Sequence, residues 1–449
     1  MKKLAFIWVL IGMVKVCTAE PMVAVTIYND NLALVRQVRD IEFSKGVQEY
    51  KYVDVAAQID PTSVHFKSLS DPTGITLLEQ NFEYDLVGTD RLLQKYIDQS
   101  VIITIRDGGT EQGLLLSAAG GDVVIRKEDG QIRAVKSTAI ESIIFPHLPE
   151  GLITRPTLSW LLNATKSGAQ TSELSYLTSG INWHAEYVAV VNEQDTQLDL
   201  AGWVSIENNS GATYTDAKLK LVAGDVNRVR EAPIRPLRKE MYAMAADAEA
   251  GFAEREFFEY HLYTLQRPAT IRDKQVKQVS LFAPQNATVL KVYSYDGARD
   301  GKKVKVTLEF DNKKENGLGL PLPKGKVRVY KNDSDGSQEF IGEDAIDHTP
   351  KDETVRLTMG NAFDIVGERV EKEMQRISKR STQQTIQIAL RNHKKEPVNV
   401  TVIEHWWGAW QLVGPTPPVK KKTADRVEFT VAIPADGEKT FEYTVLSQY

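Results

Sequence analysis

The chain has 449 residues, of which 42% are hydrophobic and 26% are charged, and its formal net charge is −5. This composition is ordinary for a folded globular protein and argues against general disorder. The mild negative charge excludes a large basic field of the kind that holds nucleic acid through counterion release. At roughly 100–200 residues per domain, the length corresponds to two to four domains.

The N-terminus has the pattern of a secretory signal peptide. Lys2 and Lys3 precede an apolar run from Leu4 to Val14, and small residues follow before Glu20. The run is shorter than the roughly 20 residues that span a bilayer. We expect cleavage after Ala19, a signal peptide at 1–19, and export to a periplasm or to the outside.

Cys17 is the single cysteine of the sequence, and it lies inside the predicted signal peptide. The mature chain is therefore expected to form no disulfide, to hold no Cys-ligated metal and to use no Cys nucleophile. Beyond the signal peptide, the sequence predicts no transmembrane segment.

Strand patterns begin directly after the predicted signal peptide. Val23, Val25 and Ile27 alternate with their neighbours, and turn residues such as Gly46 separate further runs, so residues 20–89 are predicted to form an N-terminal β domain. Residues 90–150 begin with a helical fragment that Asp90 can cap. About five short strands ending at Asp-Gly or Gly-Gly turns follow, as in a small SH3-like or Sm-like barrel.

The stretch from Ser179 to Asn227 has the clearest strand pattern, and we interpret it as a meander of three antiparallel strands. Apolar residues alternate on one face of the first strand, at Trp183, Ala185, Tyr187, Ala189 and Val191. A meander that buries one face needs a second sheet against it, which predicts a β-sandwich over residues 151–380.

Two further segments complete the predicted organisation. Residues 231–257 are rich in Ala, Met, Arg and Glu, and they are predicted to be a mobile or helical insertion in a sandwich loop. Short alternating strands over 381–449 predict an immunoglobulin-like or fibronectin-like sandwich. The fold class is therefore all-β, with tandem β-sandwiches, a small barrel and one marginal helical insertion.

Three stretches carry a resemblance to a known family: VTIYNDNLALVRQVRDIEF, then LSYLTSGINWHAEYVAVV together with GWVSIENNSGATYTDAKLKLVAGDVN, and finally EYHLYTLQRPATIRDKQVKQVSLF. They resemble a bacterial exported β-protein family of unknown function, related to the mucoidy inhibitor A-like proteins. The resemblance implies an exported, β-rich protein with no established activity and supplies no catalytic residues. Those relatives tend to carry a coiled coil where this chain has the barrel-like module.

Catalytic and cofactor motifs are missing from the sequence. We find no nucleophile elbow, phosphate-binding loop, dinucleotide fingerprint, HExxH pair or EF-hand loop. The seven histidines are scattered, with no pair at metal-ligand spacing. The sequence therefore predicts no catalytic residue, no metal and no cofactor. Hydrolysis by two carboxylates stays open, because such a pair is defined by its separation in space.

The segment His405-Trp406-Trp407-Gly408-Ala409-Trp410 is the best candidate for a binding surface. At strand spacing, Trp406 and Trp410 lie on one face and Trp407 lies on the other. Exposed tryptophans stack on sugar rings or anchor protein interfaces. The alternative is that both faces are covered. A histidine is also adjacent to a tryptophan at Trp183 and His184, and these two residues are further candidates. Structural or surface roles are the alternative for both histidines.

These features predict a non-enzymatic, exported scaffold or adaptor of the bacterial cell envelope that binds protein or glycan partners. The alternative is an envelope polysaccharide or peptide hydrolase with carboxylates gathered between domains. A carbohydrate-binding module is a third hypothesis. Partner identity and oligomeric state are left open.

Overall fold

A computed structural model describes residues 22–106, 108–224, 226, 252–257, 260–421 and 423–448. The predicted signal peptide and residues 231–251 of the predicted insertion lie outside the described residues. The end of that insertion, Phe252–Phe257, is a β-strand rather than a helix. Within the described ranges, no helix is both long and apolar enough to cross a membrane.

Up to residue 224, the described residues contain fifteen strands and one short α-helix. They are β1 (Met22–Tyr28), β2 (Leu32–Phe43), β3 (Gly46–Val53), β4 (His65–Ser68), β5 (Ile75–Glu83), α1 (Thr89–Lys95), β6 (Ser100–Ile105), β7 (Thr110–Ser117), β8 (Val123–Arg126), β9 (Ile132–Val135), β10 (Ile140–Ile144), β11 (Thr157–Ala164), β12 (Gly168–Thr178), β13 (Ile181–Val191), β14 (Gln197–Asn208) and β15 (Tyr214–Ala223).

From residue 252 onward, the described residues add fifteen more strands and one four-residue α-helix. They are β16 (Phe252–Phe257), β17 (Tyr260–Leu265), β18 (Ala269–Ile271), β19 (Gln275–Thr288), β20 (Leu290–Tyr295), α2 (Gly297–Asp300), β21 (Lys303–Asp311), β22 (Gly325–Asn332), β23 (Gln338–Ile346), β24 (Thr354–Ser378), β25 (Ser381–Asn392), β26 (Val398–His405), β27 (Ala409–Val413), β28 (Val419–Lys421), β29 (Arg426–Ile433) and β30 (Gly437–Gln448). The all-β prediction is confirmed.

One large hydrophobic core joins strands from the two halves of the chain. An eight-stranded sheet in the order β16-β17-β15-β1-β2-β12-β4, with β18 on β15, supplies one side of this core. A five-stranded sheet, β19-β14-β13-β22-β23, and a three-stranded sheet, β3-β11-β5, supply the rest. The buried set runs from Val25 to Leu357, so strands from the predicted N-terminal and central domains share it. The predicted domain boundaries themselves stay predictions.

The predicted meander is wrong at its third strand. Strands β13 and β14 form the expected antiparallel pair, but β15 lies in the eight-stranded sheet and pairs in parallel with β1. The buried Asn208 side chain directs this crossing, because its Nδ2 donates to the Ala212 carbonyl at 2.8 Å and its Oδ1 accepts from the Ser210 backbone N–H at 3.1 Å. Gly211, at φ 81°, turns the chain across the core instead of back along the same sheet.

In the region of the predicted small module, α1 is followed by five antiparallel strands in the order β10-β6-β7-β8-β9. These strands surround a core of their own that includes Tyr96 and Ile103. Its two edge strands, β9 and β10, do not pair with each other, so the sheet is an open one and not a closed barrel. Helix α1 begins after Gly88 and has no side-chain cap, so the prediction that Asp90 caps it is wrong.

A nine-stranded sheet, in the order β27-β30-β25-β24-β21-β20-β26-β29-β28, forms the C-terminal part of the fold. Its strands fold over a second core that includes Tyr295, Ile388 and Phe429. Strands β20, β21 and β24 come from before residue 381, so this core extends beyond the predicted C-terminal sandwich.

Asp195 connects the two cores through ion pairs. It lies in the turn between β13 and β14, and it pairs with Lys331 at the end of β22 and with Lys291 of β20, in the nine-stranded sheet. Burial raises the pKa of the Asp195 carboxyl, but the hydrogen bonds from the two lysines outweigh burial and lower the pKa overall. The ionised carboxylate therefore stabilises the folded state.

We predict that Asp195→Asn lowers the free energy of unfolding at pH 7 by about 1 kcal/mol, because two charge-assisted hydrogen bonds are lost. Asparagine tolerates the left-handed backbone of this position, φ 58°, so the change removes the charge and one acceptor oxygen without straining the backbone. A group with a lowered folded pKa gives its stabilisation above its ordinary value of 3.8. The difference between the two proteins should thus disappear as the pH falls below that value.

Urea unfolding at a series of pH values measures this effect. Asp436→Asn is the matched control, since Asp436 is also left-handed and pairs with the exposed Lys395 at 2.9 Å. Exposed pairs contribute little, so the control should change stability hardly at all. An equal loss in both variants would contradict the role assigned to Asp195.

Candidate functional site

The tryptophan segment lies where the chain passes from β26 to β27. Gly408 has a left-handed φ of 73°, and a Cβ at this position would lie 2.9 Å from the Gln448 carbonyl oxygen. Glycine is therefore required for the close approach to β30. The turn at Gly408 separates Trp406 and Trp407 from Trp410.

The three tryptophans have different environments. Trp406 is 8% exposed and packs edge-to-face on Tyr443, with ring centroids 6.3 Å apart. Trp410 is half-buried, and its indole N–H donates to the Ala424 carbonyl at 2.6 Å. Trp407 is 74% exposed. Of the three rings, Trp407 is thus the one that a partner can reach without rearrangement.

His405 faces the helical turn α2. Its Nε2 lies 3.1 Å from Oδ2 of Asp296, and Oδ1 of Asp296 accepts the Arg299 backbone N–H at 3.2 Å at the start of α2. The side chain of His405 is 17% exposed. This geometry connects β26 to α2, which favours a structural role for His405.

A buried ion pair lies beside this contact. Arg369 Nε donates to both carboxylate oxygens of Glu404, at 3.2 and 3.3 Å, and its Nη1 donates to Glu371 at 2.9 Å. The Glu404 side chain is 1% exposed. Burial raises the pKa of Glu404 and the charge of Asp296 adds to this, while Arg369 opposes both.

In the same core, the Tyr295 hydroxyl and the indole N–H of Trp406 are among the buried polar atoms that have no hydrogen-bond partner among the described residues. Tyr295 is enclosed tightly, since a Cβ at Gly367 would lie 2.2 Å from its ring and one at Gly297 would lie 2.7 Å from its hydroxyl. The cluster around Glu404 is therefore packed interior. A polymeric substrate has no access to it in this arrangement.

The second pair of candidates, Trp183 and His184, lies at the start of β13. Trp183 is 1% exposed, and its indole N–H donates to the Val222 carbonyl at 3.2 Å. His184 points the other way, with a side chain that is 51% exposed and Nε2 3.4 Å from Oε1 of Glu186. Trp183 therefore belongs to the core, and His184 is available at the surface.

His184 borders a groove of about 540 Å³. Polar and basic side chains from four separate turns and strand ends line it: Asn29, Asn182, His184, Lys324, Lys326 and His348. We name this the lysine–histidine groove. Sequence reasoning identified only Trp183 and His184 of its lining, because the other residues are distant in the chain and form no motif.

A second groove, of about 530 Å³, lies on the C-terminal part of the fold between Pro415–Pro418 and β29–β30. Among the described lining residues, this groove holds one carboxylate, Glu442, and the lysine–histidine groove also holds one, Asp30. Neither offers the carboxylate pair that the hydrolase hypothesis requires. No group of three or more His, Cys, Asp or Glu side chains suited to a metal occurs in the described part of the chain.

We predict stability effects of very different size for two neighbouring tryptophans. Trp406→Ala should lower the free energy of unfolding by about 3–5 kcal/mol, because it leaves a cavity in the second core. Trp407→Ala should change it by less than about 0.5 kcal/mol, because the ring is exposed. Thermal or urea unfolding of the two variants provides the measurement. A large loss for Trp407→Ala would show that its ring is packed rather than available.

The sequence matches one family model, described as a domain of unknown function (DUF4139), over residues 172–449. The match begins within β12 and includes strands β13–β30 and the whole tryptophan segment. No curated protein matches the sequence. The finer relation to the mucoidy inhibitor A-like proteins stays a prediction. Because the family model covers more than half of the chain, this protein belongs to the DUF4139 family.

Proposed function

We propose that this protein is a non-enzymatic, exported scaffold or adaptor of the bacterial cell envelope that binds a protein partner by strand addition to β24. The observation that carries the proposal is the unpaired side of this strand. Among the described residues, β24 pairs with β25 as far as Ser378, but its pairing with β21 ends at Val366. We call Glu368–Ser378 the free edge.

The free edge projects into solvent. Residues 370–380 are all exposed, which includes three apolar side chains: Val370 at 40%, Met374 at 63% and Ile377 at 52%. An unpaired strand offers a row of backbone donors and acceptors to an incoming strand, and apolar side chains add specific contacts. These are the features that strand addition uses.

The charges of the free edge favour a selective partner. Glu371, Lys372, Glu373 and Arg376 alternate in sign over six positions. Charged side chains on an edge oppose indiscriminate pairing with other strands. A partner segment with the complementary order of charges forms ion pairs with this edge. A segment with a different order places like charges opposite each other and is repelled.

Strand addition predicts that Met374→Lys combined with Ile377→Lys weakens partner binding by about tenfold or more, because two apolar anchors are lost. The partner is first recovered from an envelope extract with the mature protein as bait, and its affinity for each variant is then measured. Phe363→Lys is the matched control, since Phe363 is 94% exposed on the same strand but outside the free edge.

Hydrogen exchange provides a second, independent readout. Bound partner should slow exchange of the backbone amides of residues 370–378, because they become hydrogen-bonded or covered. Failure to recover a stoichiometric protein would count against the adaptor role. Protection located elsewhere, or equal binding by the double-lysine variant, would rule out strand addition at this edge.

A further inference from the structure

We infer that the lysine–histidine groove binds an acidic glycan, a sugar chain that carries carboxylates and hydroxyl groups. The groove belongs to the first core and is separate from the free edge of β24. Its volume of about 540 Å³ lies in the range of small-ligand sites, which is roughly 300–1,000 Å³.

Close backbone contacts create the concave floor. A Cβ on Gly325 would lie 2.2 Å from the Ala185 carbonyl oxygen, so β22 can approach β13 only with glycine at this position. A Cβ on Gly224 would lie 2.6 Å from the Tyr260 ring. The groove is therefore built into the parallel pairing of β13 and β22, and its floor carries little side-chain bulk.

The basic groups of the groove favour a negatively charged ligand. Lys324 is exposed and makes no ion pair with any residue that the structure describes, whereas Lys326 pairs with Glu343 at 3.2 Å. The backbone N–H of Lys324 donates to Nδ1 of His348 at 3.1 Å, which holds the imidazole beside the lysine. The ammonium group of Lys324 suits a carboxylate.

Two buried acceptors favour a ligand that also donates hydrogen bonds. Oδ1 of Asn29 and Oδ1 of Asn182 are shielded from solvent and accept no hydrogen bond from the described residues. The orientation of Asn29 is fixed, because its Nδ2 donates to the Trp183 carbonyl at 3.2 Å. A ligand hydroxyl that displaces the atoms now covering these amides would supply the missing donors, and unmade hydrogen bonds of buried groups are costly.

The groove lacks features that other ligands need. Its one tryptophan, Trp183, is 1% exposed and has no free face on which a base or a neutral sugar ring could stack. Recognition here depends on charge and hydrogen bonds. A uronic acid unit combines both requirements in one ring.

The test is isothermal titration of the mature protein with trigalacturonate, with its methyl ester as a neutral ligand of the same shape. We expect binding of the acid with a Kd below about 1 mM, and at least about tenfold weaker binding of the ester. Lys324→Gln should weaken binding of the acid about fivefold or more. Lys45→Gln, at the opposite end of β2, makes the same charge change outside the groove and should have no effect.

Several results would overturn the inference. They are no binding of the acid at millimolar concentration, equal binding of the ester, or an unchanged affinity in the Lys324→Gln variant. Equal affinity for triglutamate would assign the groove to acidic peptides and would also overturn it. Circular dichroism of each variant establishes that it is folded. The double-lysine variant of the free edge should bind trigalacturonate normally, which separates this inference from the adaptor proposal.

Discussion

The structure depends on two strands that belong to both hydrophobic cores. In β21, Leu308 and Phe310 pack in the first core and Val304 packs in the second. In β24, Val355 and Leu357 pack in the first core and Ile365 packs in the second. Because paired strands resist bending across their hydrogen bonds, the cores are held by a continuous piece of sheet rather than by a linker.

Because β21 and β24 pass from one core to the other, their backbone is irregular at the point of passage. The β21–β24 pairing changes register between Lys303 and Lys305 and again between Val306 and Thr307, and Gly360 of β24 adopts φ 123° opposite this region. Bulges increase local twist and turn side chains toward another face. The same two strands can therefore present apolar residues first to one core and then to the other. Asp195 then adds polar contacts between the same two parts of the fold.

Local sequence patterns predicted strands well but did not predict their partners. All five apolar residues of the first predicted strand, from Trp183 to Val191, are at most 1% exposed, because alternation depends on neighbours in the chain. The parallel pairing of β15 with β1 joins Leu219 to Val25, and nothing local encodes such a distant contact. Alternation also cannot reveal that the Asn208 side chain turns the chain across the core.

The candidate sites show the same limit. Tryptophan and histidine are conspicuous in a sequence, and Trp406 and Trp407 do differ in exposure, but both lie between β26 and β27, outside the strand spacing that the prediction assumed. However, Lys324, Asn29 and Asn182 come from three different turns and strand ends, and only the fold brings them to one groove. The buried carboxylate of Glu404 was equally invisible, since its pairing with Arg369 crosses from β26 to β24. Polar residues become recognisable as a site through their neighbours in space.

The shared strands also bear on the adaptor role that we propose. The first core carries the lysine–histidine groove, and the free edge continues directly from the segment of β24 that packs in both cores. A flexible link would let two bound partners move independently, at an entropic cost for holding them together. Here the sheet fixes the orientation of the edge relative to the first core. A glycan in the groove and a protein strand on the edge would thus be held in one defined geometry, which is the property that distinguishes a scaffold from a tether.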